Sequence, residues 1–111
     1  MEMQVVESDG VSLAILDGRF DIAGAQAVDL RFSALAGSVP ALGVDMTKVT
    51  FLASMGVRTL MLSAKTMLRR GAKIVVFGAD ENVGNVLRAT GFDEIVALYP
   101  DRDAAMAALK P

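Results

Sequence analysis

Residues 45–60 read DMTKVTFLASMGVRTL, and this stretch leads from a strand into a helix. Apolar residues alternate over residues 42–46, which is the period of a β-strand with one face in the core. We predict that this strand ends at residues 45–47. A loop with inward-facing Val49 and Phe51 is expected to follow it.

A helix is predicted to begin at Ser54, whose hydroxyl can accept a backbone N–H of the first turn and so act as the N-cap. Its apolar stripe, at helical spacing, consists of Val57, Leu60, Met61, Ala64 and Leu68. Arg69 and Arg70 suit the negative end of the helix dipole. Gly71 is the expected left-handed residue beyond the helix end.

Two residues are unusual in the first turn of this helix. Gly56 costs about 0.5–1 kcal/mol relative to alanine, so we expect another backbone to approach it closely. Met55 follows the predicted cap directly, so its side chain is expected to be exposed. Among the seven methionines, those that fit core positions are Met46, Met61 and Met106.

The C-terminal half continues the alternation of strands and helices. Residues 73–77 read KIVVF, which is typical of a central strand buried on both faces. A helix with apolar residues over 83–87 is predicted to end at Gly91, and residues 95–98 are predicted to form the last strand. Asp101 is predicted to cap a terminal helix.

The N-terminal part predicts a hairpin. Residues 11–15 alternate as a strand, residues 3–7 can form the strand before it, and Asp9-Gly10 between them is a strong hairpin signal. Gly18 is predicted to end the second strand, and a helix is predicted over residues 25–36.

The predicted order is therefore β-β-α-β-α-β-α-β-α. Strands that alternate with helices imply crossover connections, so we predict an α/β fold whose mixed sheet carries an N-terminal antiparallel hairpin. No Gly/Ser-rich linker, charge block or repeat divides the sequence. Residues 1–111 are accordingly predicted to form a single domain of ordinary size.

Composition excludes several classes of function. Hydrophobic residues make up 53% of the chain and the formal net charge is −2, so neither a disordered polar chain nor a nucleic-acid-binding protein is expected. Cysteine and histidine are absent, which removes thiol nucleophiles, the commonest transition-metal ligand and the usual general base. We predict a protein that is not an enzyme and that holds no cofactor or metal. With no signal peptide or membrane-length apolar run, a cytoplasmic location is expected.

Two groups of residues are weak candidates for chemistry. The glycines of residues 78–84 lie between a strand and a helix, but their spacing fits no phosphate-binding motif, so a turn with helix-start acids is preferred. Asp17, Asp21 and Asp45 lie near strand ends, where a Mg²⁺ site is conceivable. Turn and cap roles are preferred for these carboxylates as well.

Residues 45–56 resemble the signature of STAS domains, the anti-sigma factor antagonist family, which reads D-[LM]-[ST]-x-[VL]-x-[FY]-[ILM]-[DA]-S-[ST]-G. Residues 16–21, 72–77 and 87–95 are similar to further elements of the family, in the same order. Together these segments span nearly the whole chain. The resemblance therefore implies a STAS-type mixed sheet, and the predicted element order is that of the family.

The resemblance also implies a function, that of a small bacterial switch. Unphosphorylated members bind an anti-sigma factor that is also a serine kinase of the histidine-kinase-like ATPase type, and this frees a sigma factor. Phosphorylation of the Ser or Thr before the signature Gly blocks binding, and a phosphatase reverses it. In this chain the implied docking face is Asp21, Ser54, Met55 and Gly56, at one end of the sheet.

This sequence departs from the family at the phosphorylated position, where Met55 has no hydroxyl. Either Ser54 is phosphorylated instead, or the protein binds its partner without this control. We favour the second interpretation, because a thioether cannot accept phosphate and Ser54 is predicted to be needed as the helix cap. Met55 would suit an apolar contact in a partner interface.

Two alternatives from other classes remain open. The chain could be a STAS subunit of a membrane (lipid) transport ATPase complex, docked through the same helix. It could also be a small-ligand or nucleotide-sensing domain, although Asp80 and Glu81 would repel a phosphate in the most suitable loop.

Overall fold

The computed structural model describes residues 1–110, which form a five-stranded mixed sheet packed between helices. The strands are β1 (Glu2–Ser8), β2 (Val11–Phe20), β3 (Ala41–Leu52), β4 (Lys73–Phe77) and β5 (Leu98–Tyr99), and the helices are α1 (Ile22–Ser38), α2 (Ser54–Arg69), α3 (Glu81–Ala89) and α4 (Arg102–Leu109), with a 3-10 turn at Phe92–Glu94 before β5. The strand order is β1-β2-β3-β4-β5, with β1 antiparallel to β2 and every later pair parallel. The predicted class, element order and N-terminal hairpin are confirmed.

The hairpin is closed by the turn chemistry of its two central residues. Asp9 has a φ of 54° and Gly10 a φ of 79°. A two-residue turn that matches the twist of its strands needs positive φ at both positions, which Asp and Gly tolerate better than most residues. The turn sets the pairing register, which runs from Ser8 opposite Val11 to Glu2 opposite Asp17.

Apolar side chains cover both faces of the sheet. On one face, α1, α2 and α3 pack against the strands around a main core whose largest members include Leu16, Phe20, Phe32, Met46 and Leu60. On the other face, α4 packs against Val75 and Phe77 of β4. Strand β4 therefore contributes to both cores, which confirms that it is a central strand buried on both faces.

Strand β3 does not end at residues 45–47 but continues to Leu52, so that prediction is wrong. Ile15 is paired with Asp45 but Asp17 with Lys48, and Gly18 is paired with Val49 but Arg19 with Phe51. At each step β3 contains one more residue than β2, which is the mark of a β-bulge. The backbone N–H of Thr47 donates to Asp45 Oδ1 at 2.9 Å, which supports the first bulge.

The two bulges change which side chains face the core. Val49 and Leu52 are buried, whereas Phe51 is 42% exposed. The expected inward direction is confirmed for Val49 and wrong for Phe51. Gly18 does not end β2 either, because the strand continues to Phe20 through a φ of 117° at this glycine.

Three helices begin with an aspartate cap, and α2 does not. The carboxylates of Asp21, Asp80 and Asp101 each accept a backbone N–H three residues later, at 2.8–2.9 Å. The N-cap of α2 is Ala53, and Ser54 is the first helical residue. The predicted cap at Ser54 is therefore wrong, because the N–H of Ala53 donates to Phe20 O at 3.0 Å and holds the cap residue beside the end of β2.

Other element boundaries also shift. Helix α1 begins at Ile22, before the predicted residue 25. The last strand is Leu98–Tyr99 and not residues 95–98, because Phe92 is buried in a 3-10 turn that occupies the chain before it. On α2, Leu68 is 46% exposed and Met67 takes the predicted core position.

The cap geometry predicts unequal effects of two substitutions. Asp80→Ala should lower the free energy of unfolding by about 1 kcal/mol, because it removes the acceptor for the Val83 N–H. Ser54→Ala should change it by less than about 0.5 kcal/mol, since Ser54 is exposed and does not cap α2. Urea titration of both variants measures the difference. A loss for Ser54→Ala as large as that for Asp80→Ala would contradict this assignment of the cap.

Candidate protein-docking site

The parallel pairing of β2 with β3 brings two helix starts together. Phe20 and Leu52, the last residues of these strands, are register partners. Because the carboxyl ends of parallel strands meet at the same edge of a sheet, Asp21 and Ser54 both follow at this edge, where the Ala53 N–H donates to Phe20 O at 3.0 Å. Asp21 and Ser54 are far apart in the sequence, and the pairing of β2 with β3 brings them to the same edge of the sheet.

Asp21 is fixed in this corner by the start of α1. The backbone N–H of Gly24 donates to the Asp21 carboxylate at 2.9 Å, and this hydrogen bond lowers the pKa of Asp21. Desolvation acts in the opposite direction and raises the pKa. Arg19, whose Nε lies 3.5 Å from the carboxylate, lowers it further. A depressed carboxylate pKa stabilises the fold above the unfolded-state pKa, and this contribution is lost as the pH falls through the folded-state pKa. Asp21 therefore carries its negative charge at neutral pH.

Arg19 and Phe51 form an exposed pair beside Asp21. They are register partners on β2 and β3, and the Arg19 guanidinium carbon lies 4.4 Å from the centre of the Phe51 ring. A cation over an aromatic ring is attracted to it, so this pair favours one arrangement of a cation and an apolar surface. Sequence analysis missed Arg19 and placed Phe51 inward, because the bulges that turn Phe51 outward arise from pairing with a distant strand.

Met55 lies at the rim of a groove between α1 and α2. The groove has a volume of about 440 Å³ and is lined by Ala25, Gln26, Asp29, Met55, Arg58, Thr59 and Leu62. The Met55 side chain is 39% exposed, as expected from the sequence. Ile22 is 59% exposed, one helical turn before Gln26 on the same side of α1.

Gly56 lies beneath this surface and is buried. A Cβ added to it would stand 2.6 Å from Phe20 O and 2.8 Å from Leu52 Cδ1. The expected close approach of another backbone is confirmed. Gly56 therefore seats the start of α2 against the end of β2, and it presents no side chain to a partner.

We call the exposed part of this region the corner surface, which consists of Arg19, Asp21, Ile22, Phe51, Ser54 and Met55. It contains three exposed large apolar residues, one cation and one anion. Apolar anchors with a polar surround are typical of the central part of a protein–protein interface. The arrangement suits docking of another protein.

Among the other candidates from the sequence, Asp21, Asp45 and residues 78–84 have structural roles, and Asp17 is an exposed residue within β2. Asp21 caps α1 and Asp45 supports a bulge, while residues 1–110 contain no group of three carboxylates placed to hold a metal ion. Gly78 adopts a φ of 77°, and Asp80 caps α3 through the Val83 N–H at 2.8 Å. The preferred interpretation of residues 78–84 as a turn into a helix is confirmed.

Comparison with known proteins identifies the class. The sequence profile of the STAS domain matches residues 2–105, and the chain belongs to the STAS domain family. BtrV of Bordetella bronchiseptica, which bears the name of an anti-sigma factor antagonist, is 26% identical over 99% of this chain and 96% of BtrV. The resemblance found in the sequence is thereby confirmed.

Solved structures with the same fold include anti-sigma factor antagonists and a protein of a transporter family. The crystal structure of an anti-sigma factor antagonist from Mycobacterium paratuberculosis is 29% identical in sequence and superposes with a TM-score of 0.89. The match covers 97% of this chain and 92% of the antagonist chain. A sulfate transporter family protein from Wolinella succinogenes is 19% identical and has a TM-score of 0.79. This match covers 94% of this chain and 88% of the transporter family chain. The fold thus also occurs in a transporter family. None of the helices within residues 1–110 is long and apolar enough to span a membrane.

The packing of Gly56 predicts opposite effects at two helical glycines. Gly56→Ala should lower the free energy of unfolding by about 1–3 kcal/mol, because the new methyl group overlaps the Phe20 backbone. Gly37→Ala is the matched control, since no atom lies within 4 Å of its added Cβ, and it should raise stability by about 0.5–1 kcal/mol. Thermal or urea unfolding of both variants checks the sign. A stabilising Gly56→Ala would show that α2 does not sit as described.

Proposed function

We propose that this chain is an anti-sigma factor antagonist that binds an anti-sigma factor through the corner surface, as one step of a partner-switching pathway. Membership of the STAS family, the similarity to BtrV and the similarity to the antagonist from M. paratuberculosis support the antagonist role. The proposed partner is an anti-sigma factor that is also a serine kinase of the histidine-kinase-like ATPase type, with a phosphatase as the opposing enzyme.

The exposure of Met55 is the observation that carries this proposal. Met55 is 39% exposed in the first turn of α2, where it lines the groove between α1 and α2 together with exposed Leu62. Burial of one such side chain by a partner contributes roughly 1.5–3 kcal/mol when it is complete. A protein with complementary apolar groups and an acid to meet Arg19 would bind here.

We further propose that binding proceeds without phosphorylation at residue 55. A thioether accepts no phosphate, so this part rests on the identity of Met55 alone. The capping argument against phosphorylation of Ser54 no longer holds, because Ala53 is the cap and Ser54 is exposed. Mass spectrometry of Ser54 is therefore part of the test.

Charge at the corner surface is expected to oppose docking. Ser54→Asp should weaken binding to the anti-sigma factor about tenfold, as is typical when an unpaired charge enters an interface. Ser54→Ala is the matched control and should bind like the wild type. Isothermal titration calorimetry with the purified partner measures both. Equal affinity of Ser54→Asp and wild type would place the docking surface elsewhere.

Restoring a hydroxyl at residue 55 should restore a phosphate acceptor. The wild-type protein incubated with its kinase-type partner and ATP should gain no phosphate, whereas Met55→Ser should gain one. The substitution also removes an apolar contact, so unphosphorylated Met55→Ser should bind somewhat more weakly, with a cost of up to about 2 kcal/mol. Intact-mass spectrometry and a binding titration give both readouts. Phosphate on Ser54 of the wild type, with loss of binding, would contradict the proposal.

The second candidate is the STAS subunit of a membrane (lipid) transport ATPase complex that the sequence left open, and the occurrence of the fold in a sulfate transporter family protein keeps a transporter-linked role in view. On that alternative, the same corner would dock on a subunit of a membrane transport ATPase. Capture of partners from native cells with tagged wild type and tagged Ser54→Asp, followed by mass spectrometry, distinguishes the two. An anti-sigma factor lost from the Ser54→Asp sample supports the proposal, and a transport ATPase subunit lost from it supports the alternative.

A further inference from the structure

We propose that Met55 is a site of reversible oxidation, and that conversion of its thioether to the sulfoxide by a peroxide weakens docking at the corner surface. The site itself follows from exposure and chemistry. Its regulatory effect rests on the function proposed above.

Exposure separates Met55 from the other methionines. The chain contains seven, of which Met3, Met46, Met67 and Met106 are buried at 8% exposure or less. Met1 and Met61 are partly buried and pack against the main core. Met55 is 39% exposed. A small oxidant in solution therefore reaches the sulfur of Met55 more readily than the sulfurs held in the core.

The chemistry requires no group from the protein other than the thioether. A lone pair of the sulfur attacks one oxygen of hydrogen peroxide, a sulfur–oxygen bond forms, and the oxygen–oxygen bond breaks. The second oxygen leaves as hydroxide and takes the proton from the oxygen now bound to sulfur, so that the products are the sulfoxide and water. The sulfur loses two electrons and the peroxide gains them, and methionine sulfoxide reductases reverse the product.

The product changes the character of the corner surface. Oxidation turns a flexible apolar side chain into a polar one with a strong hydrogen-bond acceptor. Ala25 and the exposed Leu62 line the same groove as Met55, so a partner that fills this groove meets the Met55 sulfur among apolar groups. Burial of the sulfoxide oxygen among apolar side chains without a donor is unfavourable, so we expect affinity to fall about tenfold. In the free protein the oxygen points into water, so the fold should be unaffected.

The test has two readouts, made on the purified protein treated with hydrogen peroxide. Peptide mass spectrometry over time should find Met55 oxidised before Met61 and before the four buried methionines. Affinity for the anti-sigma factor captured above should fall about tenfold in the wild type and recover after treatment with the reductases. The affinity of Met55→Leu, which keeps an apolar side chain of similar size, should be the same before and after treatment with peroxide. Met61→Leu should behave like the wild type.

The outcomes separate the two proposals. Oxidation of Met61 at the same rate as Met55, or a lowered melting temperature of the singly oxidised protein, would overturn the assignment of the site. Unchanged affinity of the oxidised wild type would overturn the regulatory effect and leave the proposed function intact. If the untreated protein binds no anti-sigma factor, the proposed function fails, and the regulatory effect fails with it.

Discussion

The backbone hydrogen bond from the Ala53 N–H to Phe20 O, at 3.0 Å, joins the two halves of the corner on which the candidate site depends. It extends the pairing with β2 by one residue beyond the end of β3. Gly56 then allows α2 to approach the same Phe20 carbonyl, because a side chain at residue 56 would overlap it. The positions of Ser54 and Met55 follow from this contact.

This constraint explains why α2 begins differently from the other helices. At the starts of α1, α3 and α4, the aspartate side chain accepts a backbone N–H of the first turn, as seen at Asp21, Asp80 and Asp101. Ala53 is held by main-chain bonds on both sides, since its carbonyl also accepts the N–H of Val57 at 3.2 Å. The side chains of the first turn are therefore not required for capping. They are available for contact with another molecule.

The corner surface combines a rigid base with exposed groups of mixed character. Asp21 is charged and caps α1, and the Arg19 guanidinium lies over the Phe51 ring and contacts Asp21, so both charged groups have partners within the protein before another molecule binds. Fixed groups lose less conformational entropy on binding than mobile ones. Met55 is the flexible member, and its unbranched thioether can adapt to the shape of a partner. The corner surface thus contains charged groups that already have partners and one flexible apolar side chain, Met55.

The sequence by itself determined the element order, the hairpin turn at Asp9-Gly10, the central strand β4, the close packing at Gly56 and the family. These features depend on local periodicity, on residues with special backbone freedom, or on motif spacing. The lengths of β2 and β3, the cap of α2 and the outward direction of Phe51 were decided only by the tertiary structure. The direction of Phe51 depends on the two extra residues in β3, and the cap of α2 depends on the hydrogen bond from the Ala53 N–H to Phe20 O. Both arise from pairing with β2, a distant part of the chain. Periodicity within one segment carries no information about such pairing, because a bulge shifts the inward and outward positions of every residue that follows it.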